Sequence, residues 1–380
     1  MVVMLKNVNI LVYNAEKWAI EPHNILIEHS KVLSVNAEGT PDRSIDLGGQ
    51  LLLPLFFNIH CHLGESLYIV DGSDWTILKY LAYTSEIVDN MTPLEKDLFW
   101  QRSAEKTIQL LIESGTGGFC AARSAEISKK HHLCTMSGYP LMLSRKLEQY
   151  YLDGLDGFSR YASENNSPYC SVGIFLHSLY KADEKLLHLA AKCFCSSAEF
   201  LTVHLSEDLE TRQLELTRFQ QEPVFVLDQL GLLTDQTILV HGGFLSANEL
   251  SLASERNVLI AVCPISNHFL NTTCIDVSAL ERMGIRWCLA TDGLATGRTL
   301  ALIDQAAALK RQFPNIPNIK ILQSMTTIPA QAFRRSIYTG MIEADTEATF
   351  ILVHLHQKTD IENTLGELFT GRTPWKVVRF

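Results

Sequence analysis

The chain has 380 residues, 47% of them hydrophobic and 19% charged, with a formal net charge of −10 at pH 7. That apolar content excludes disorder and is enough for a large core. The acidic balance, with no run of Lys or Arg, excludes a nucleic-acid backbone as partner. The opening MVVMLKNVNILVY is broken by Lys6, Asn7 and Asn9 and leads to no small-residue cleavage site. No apolar run is long enough to span a bilayer, so a cytoplasmic protein with no membrane partner is expected. The nine cysteines form no C-x-x-C pair, and an odd count of this kind points to reduced, buried thiols.

Along the chain, Asn7 to Tyr13, Asn24 to Glu28 and Lys31 to Val35 read as short strands separated by polar turns. From Gln50 the texture changes to apolar bursts alternating with segments of helical period, the signature of repeated βα units. The bursts are Leu51 to Ile59, Gly117 to Ala122, Pro140 to Leu143, Cys170 to Leu176, Phe200 to Val203, Thr237 to Val240, Val258 to Val262 and Trp287 to Ala290. Between the first two, Thr92 to Ser114 is a helix with Pro93 at its first position, Glu95 completing a capping box and Gly115 just past its end. Beyond Gly340 the pattern turns strand-like again, most clearly over Ala348 to Leu355. The expected fold is α/β: a (β/α)8 TIM barrel over 51–340 and a small β-sandwich domain formed from both chain ends, 1–50 and 341–380.

The polar residues that matter follow these bursts, where a barrel presents its catalytic face. After the first come His60 and His62, two apart in an extended segment, so both imidazoles point to one side and suit a single cation. After the fifth come His204 and Glu207, after the sixth His241, and after the eighth Asp292. Imidazoles with one carboxylate suit Zn2+ or Fe2+ better than Ca2+ or Mg2+. Two other histidine pairs, His131-His132 and His354-x-His356, read as structural, the first in a polar loop and the second on the C-terminal strand.

The chain resembles the amidohydrolase superfamily over nearly its whole length, in the branch of S-adenosylhomocysteine, aminofutalosine, guanine and cytosine deaminases and the triazine chlorohydrolases. The matching pieces are Leu53-Pro54 leading to Asn58-Ile59-His60-Cys61-His62, His177-Ser178-Leu179-Tyr180, His204-x-x-Glu207, His241, Cys263-Pro264-Ile265-Ser266-Asn267 and Thr291-Asp292-Gly293-Leu294-Ala295. Thr326, Pro329 and Ala330 match the helix that closes such barrels. The resemblance implies one divalent metal ion, Zn2+ or Fe2+, held by His60, His62, His204 and Asp292. A second metal is not expected, because the fourth burst runs into His177 rather than a bridging lysine. The resemblance further implies that Asp292 takes a proton from the nucleophilic water, that His241 holds the hydroxide, and that Glu207 protonates the ring nitrogen and assists ammonia loss. His177, Tyr180, Asn267, Glu65 and Trp75 become substrate-facing residues.

Three positions depart from the pattern: Leu55 where relatives carry Gly, Gly293 where many carry Ser, and Gln305 where many carry Glu. The implied function is a hydrolytic deaminase of a 6-aminopurine-type small molecule, with aminofutalosine of menaquinone biosynthesis as the sharpest candidate. A chlorohydrolase, a guanine or S-adenosylhomocysteine deaminase and a catalytically inactive binding module are the alternatives, and a homodimer is left open. A cytidine-type zinc deaminase would need a P-C-x-x-C element, which the chain lacks.

Overall fold

The computed structural model describes the chain except for 15–16, 37–38, 132, 144–147, 336–338 and 356–359; His132 and His356 therefore lie outside the described residues. The chain divides into two compact units, Met1–Phe57 with Leu111–Gly118 and Ala301–Phe380, and Asn58–Leu110 with Phe119–Leu300.

Eight strands follow one another in a single sheet in chain order: Phe56–Asn58, Thr116–Ala122, Cys134–Leu141, Cys170–Ser178, Leu201–Leu205, Thr237–His241, Leu259–Val262 and Arg286–Leu289. From the third strand to the eighth, every neighbouring pair is parallel. Nearly all their residues are buried on both faces, as a sheet wrapped by helices requires. The ring closes at the C-terminal end of the strands. There Cys61–His62 pairs in parallel with Asp292–Gly293, and the Asp292 amide donates to the His60 carbonyl at 3.2 Å. Asn58 and Thr291 clamp this seam: the Asn58 amide donates to Thr291 Oγ1 at 2.6 Å, and its Oδ1 accepts the Thr291 backbone N–H at 3.2 Å. This is the (β/α)8 barrel expected from the alternating pattern.

The second sheet is built from both chain ends, seven strands in all, and branches at Val2–Asn14, which pairs with Lys17–Glu28, Arg43–Asp46 and Leu51–Pro54. The branch lies at a bulge between Leu5 and Val8, where Asn7 adopts a left-handed backbone. Two expectations shift. The run Leu51 to Ile59 is not one strand: Leu51–Pro54 joins the chain-end sheet and only Phe56–Asn58 enters the barrel. The third barrel strand begins at Cys134, not Pro140, because its Ser137-Gly138 stretch hides a strand whose glycine lets Phe175 approach. The helix Pro93–Glu113 starts with Thr92 and Glu95 bonded reciprocally, at 2.8 and 3.3 Å, and stops before Gly115 at φ 79°. His131 closes a short helix, Ala125–His131, and bonds Glu105 rather than lying in a loop. Among the described residues no helix is long and apolar enough to cross a membrane.

Gly173 tests how tightly the ring is drawn. A Cβ there would lie 2.3 Å from the Phe200 carbonyl oxygen, a backbone atom that cannot swing aside. Gly173→Ala is expected to lower stability by about 1–3 kcal/mol, read as a drop in the denaturant midpoint at unchanged slope. An unchanged midpoint would show that the strands can separate freely.

Candidate active site

The seam sets the first two imidazoles. Asn58 Oδ1 also accepts the His60 backbone N–H at 3.4 Å, so the chain leaves the first strand with His60 fully buried and His62 half-buried, their rings 4.8 Å apart and nearly perpendicular. His204 comes from the fifth strand. Its Nδ1 donates to the His177 carbonyl at 2.6 Å, which fixes the tautomer and turns the Nε2 lone pair inward. Asp292 follows the eighth strand in a left-handed conformation, φ 59°. Its Oδ2 accepts hydroxyls from Ser266 at 2.5 Å and Thr296 at 2.9 Å, leaving Oδ1 to face the histidines.

The four groups meet. His204 Nε2 lies 3.2 Å from His60 Nε2 and 3.3 Å from His62 Nε2, and Asp292 Oδ1 lies 3.0 Å from His62 Nε2 and 3.4 Å from His60 Nε2. All four ligand atoms fall within 4.8 Å of one another. Tetrahedral donors about 2.0–2.1 Å from a zinc ion would stand roughly 3.3 Å apart, so the spacing fits a bound cation. The protonation pattern fits as well. Burial pulls His60 down to about 4, only partly offset by Asp292, and takes His204 well below the usual imidazole range. For His62, burial is outweighed by the Glu65 and Asp292 carboxylates, and it rises to about 9. The cluster thus calls for one more positive charge, which a divalent cation would supply.

Beside it stand the proton-transfer groups. Glu207 is 2% exposed, and burial, aided by Asp292, pushes its carboxyl well above the usual range, so it keeps its proton. Glu207 Oε1 lies 3.5 Å from His241 Nε2. His241 ends the sixth strand at φ 69°, donates from Nδ1 to Asn267 Oδ1 at 2.8 Å, and is held neutral chiefly by burial.

The other anticipated residues are placed unevenly. His177 ends the fourth strand, buried and driven to about 3, its ring 5.0 Å from that of His204. Tyr180 is buried 6.2 Å from the His177 ring, at right angles to it. Asn267 engages both ends of its amide with the protein, His241 on one side and the Thr273 carbonyl on the other. Glu65 accepts the Tyr80 hydroxyl at 2.8 Å and lies 3.8 Å from His62 Nδ1. Its carboxylate fills the space that a Cβ at Gly293 would need, 2.0 Å from Oε2, which accounts for glycine at a position where relatives often have serine. Trp75 lines neither cavity at the cluster; its indole donates to the Asp71 carbonyl and its ring packs 5.4 Å from Tyr83. A recess of about 30 Å³ holds the ligand cluster with Glu207 and His241, and a cavity of about 470 Å³ shares His62, Glu65 and His177 with it.

Sequence reasoning missed the supports. Ser266 and Thr296 aim Asp292. Ser206, between His204 and Glu207, has φ 46°, and Glu215 holds it by accepting its backbone N–H at 3.1 Å and its hydroxyl at 3.0 Å. Arg212 joins Ser206 Oγ to Glu249, itself fully buried. Within the sequence Glu215, Arg212, Ser266 and Thr296 are ordinary helix residues, and only their bonds to Ser206 or Asp292 mark them as supports.

The amidohydrolase family pattern matches residues 51–377, so the chain belongs to the amidohydrolase family. It is 25% identical over 369 residues to a 5-methylthioadenosine/S-adenosylhomocysteine deaminase of Pyrococcus furiosus, covering 92% of this chain and 86% of that one. Among solved structures, guanine deaminase from C. acetobutylicum with bound guanine superposes with a TM-score of 0.83 at 18% identity, covering 100% of this chain and 98% of that one. An adenosine deaminase from Xanthomonas campestris with bound zinc gives 0.78 at 18% identity, over 96% and 89%. The chain is therefore a hydrolase of this family, with a metal-type cluster at the barrel mouth.

Glu215 yields a test of the support. Burial, outweighing the Ser206 donors and Arg212, raises its carboxyl to about 8, against roughly 4.3 unfolded. Between those values the folded chain holds more proton, so this carboxyl's contribution to stability is greatest at low pH and is lost as pH rises towards 8. Glu215→Gln stays neutral throughout, so its Tm relative to wild type should climb from pH 5 to 8 and then level. A difference independent of pH would contradict the buried, proton-holding carboxyl.

Proposed function

We propose that the protein is a metal-dependent hydrolytic deaminase of a 6-aminopurine nucleoside, with aminofutalosine as the leading candidate substrate and zinc or iron as the metal. The observation that carries this reading is the buried, proton-holding Glu207 facing His241 beside the ligand cluster. The relatives named as deaminases of 5-methylthioadenosine and S-adenosylhomocysteine support the nucleoside class.

A divalent cation at His60, His62, His204 and Asp292 would supply the charge that makes hydroxide available from water near neutral pH. Asp292, held ionised by its imidazole neighbours and aimed by Ser266 and Thr296, accepts the proton that water gives up. His241, whose Nδ1–H is committed to Asn267, offers an Nε2 lone pair that receives the remaining O–H and orients it. As the oxygen adds to C6, Glu207 passes its proton to the adjacent ring nitrogen; Asp292 then gives the proton taken from water to the amine, the C–N bond breaks with release of ammonia, and the C6 hydroxyl proton returns to Glu207. Two carboxyl groups in one pocket thereby hold opposite protonation states, the arrangement that acid and base roles require.

An inactive binding module has no need for a carboxyl kept protonated beside a ligand cluster. Incubation with aminofutalosine, adenosine, 5-methylthioadenosine or S-adenosylhomocysteine is expected to shift the purine absorbance and release ammonia from at least one. No turnover of any of them would refute the reading. Glu207→Gln should lower kcat by about 10²–10⁴-fold with metal content unchanged. Retention of near-wild-type kcat would remove Glu207 from proton transfer.

A further inference from the structure

The three imidazoles of the ligand cluster are not held alike. His204 donates its Nδ1–H to the His177 carbonyl at 2.6 Å, while His60 Nδ1 is buried with no hydrogen-bond partner among the described residues. His62 is the most exposed of the three, and its Nδ1 faces a carboxylate, with Glu65 Oε1 3.8 Å away. An imidazole that binds a cation through one nitrogen needs an acceptor at the other to fix its tautomer and ring plane.

Glu65 is itself fixed from several directions. It ends the short turn Leu63–Glu65 that follows His62, and the helix Pro93–Glu113 grips the chain on both flanks of it. Thr107 donates to the Leu63 carbonyl at 3.2 Å, Ser103 Oγ accepts the Ser66 backbone N–H at 2.8 Å, and Lys106 donates to the Ser66 carbonyl at 2.9 Å. The carboxylate has its own anchor in the helix Ile77–Asp89, where the Tyr80 hydroxyl donates to Oε2 at 2.8 Å. With Oε2 engaged, Oε1 is the oxygen turned towards His62. Across the carboxylate the chain gives up a side chain: a Cβ at Gly293 would stand 2.0 Å from Oε2 and 3.3 Å from the Glu65 Cβ. Gly293 has φ −75°, open to any residue, so glycine there answers to space and not to backbone strain.

We propose that Glu65 is a positioning residue for His62. Its carboxylate takes the Nδ1–H of the metal-binding ring, holds the ring plane and strengthens cation binding, and Gly293 is the glycine that makes room for it. A carboxylate at the distal nitrogen also makes the ligating nitrogen more basic. Although Glu65 borders the recess, its work is on the ligand and not on the nucleoside. The assignment rests on the metal-site part of the function proposed above and is independent of which substrate enters.

The experiment measures zinc dissociation constants by competition with a chromogenic chelator. Metal-stripped wild type is compared with Glu65→Gln, Tyr80→Phe, Gly293→Ala, Glu65→Ala and the double variant Glu65→Ala with Gly293→Ala, and the Tm of each stripped protein controls for folding. Glu65→Gln should bind zinc about 10- to 100-fold more weakly, because one amide oxygen cannot serve Tyr80 and His62 from opposite ends. Tyr80→Phe should lose about 2- to 10-fold by releasing Oε2. Gly293→Ala, which displaces the carboxylate, should weaken zinc in the wild-type background yet change it by less than about 2-fold once Glu65 is alanine. Wild-type zinc affinity in Glu65→Gln, including the case where only its nucleoside KM rises, would overturn the proposal and make Glu65 a substrate contact. An equal Gly293→Ala loss in both backgrounds would overturn it as well. The Tyr80 variant and the Gly293 pair decide the matter if Glu65→Gln fails to fold. Ammonia release is recorded separately: wild type that binds no zinc would refute both readings, whereas weakened zinc in Glu65→Gln without ammonia from any nucleoside would sink the deaminase reading and leave the positioning role standing.

Discussion

Three imidazole nitrogens and a carboxylate oxygen, each aimed at a common point and 3.0–3.4 Å from their neighbours, are tolerable only around positive charge. Two of the imidazoles are held neutral by burial, so they offer lone pairs to one another rather than hydrogen bonds. The rest of the barrel mouth follows from keeping them there. The seam of Asn58 with Thr291 sets His60 and His62, the His177 carbonyl orients His204, and two hydroxyls hold Asp292. These supports lie at strand ends or in the short helices that follow them, because the strand ends are where a closed ring brings distant stretches of chain together.

The same pocket separates two carboxyl groups by environment. Both Asp292 and Glu207 are almost fully buried, and burial alone would protonate both. Asp292 escapes because the His60 and His62 rings stand 3.4 and 3.0 Å from its Oδ1, and it falls well below the usual range. Glu207 has no comparable donor on Oε1, and it rises. The contrast arises from what each oxygen touches, which is why a single mouth supports both a proton acceptor and a proton donor.

How much of this could be read in advance depended on how local the signal was. The H-x-H pair, His204, His241 and Asp292 each follow an apolar burst, and period-two geometry with barrel polarity brings them towards one point. The strand Cys134–Leu141 was obscured because Gly138, required by the close approach of Phe175, removes the apolar pattern at its middle. The run Leu51 to Ile59 looked like one strand because both sheets bury it equally, and nothing local marks the change of partner at Leu55. Glu215, Ser266 and Thr296 were illegible for a different reason. Their importance lies in bonding Ser206 or Asp292, residues with a left-handed backbone, and that leaves no periodic trace. Trp75 shows the converse, an aromatic in a suggestive loop that packs on Tyr83.

The most direct measurement of the central claim is X-ray absorption at the zinc and iron edges of protein purified without chelator. A single metal per chain with only nitrogen and oxygen neighbours at about 2.0–2.2 Å, and the outer-shell pattern of imidazole rings, is the predicted result. A metal bound through sulfur, a metal lacking imidazole scattering, or protein that retains no metal at either edge would contradict it.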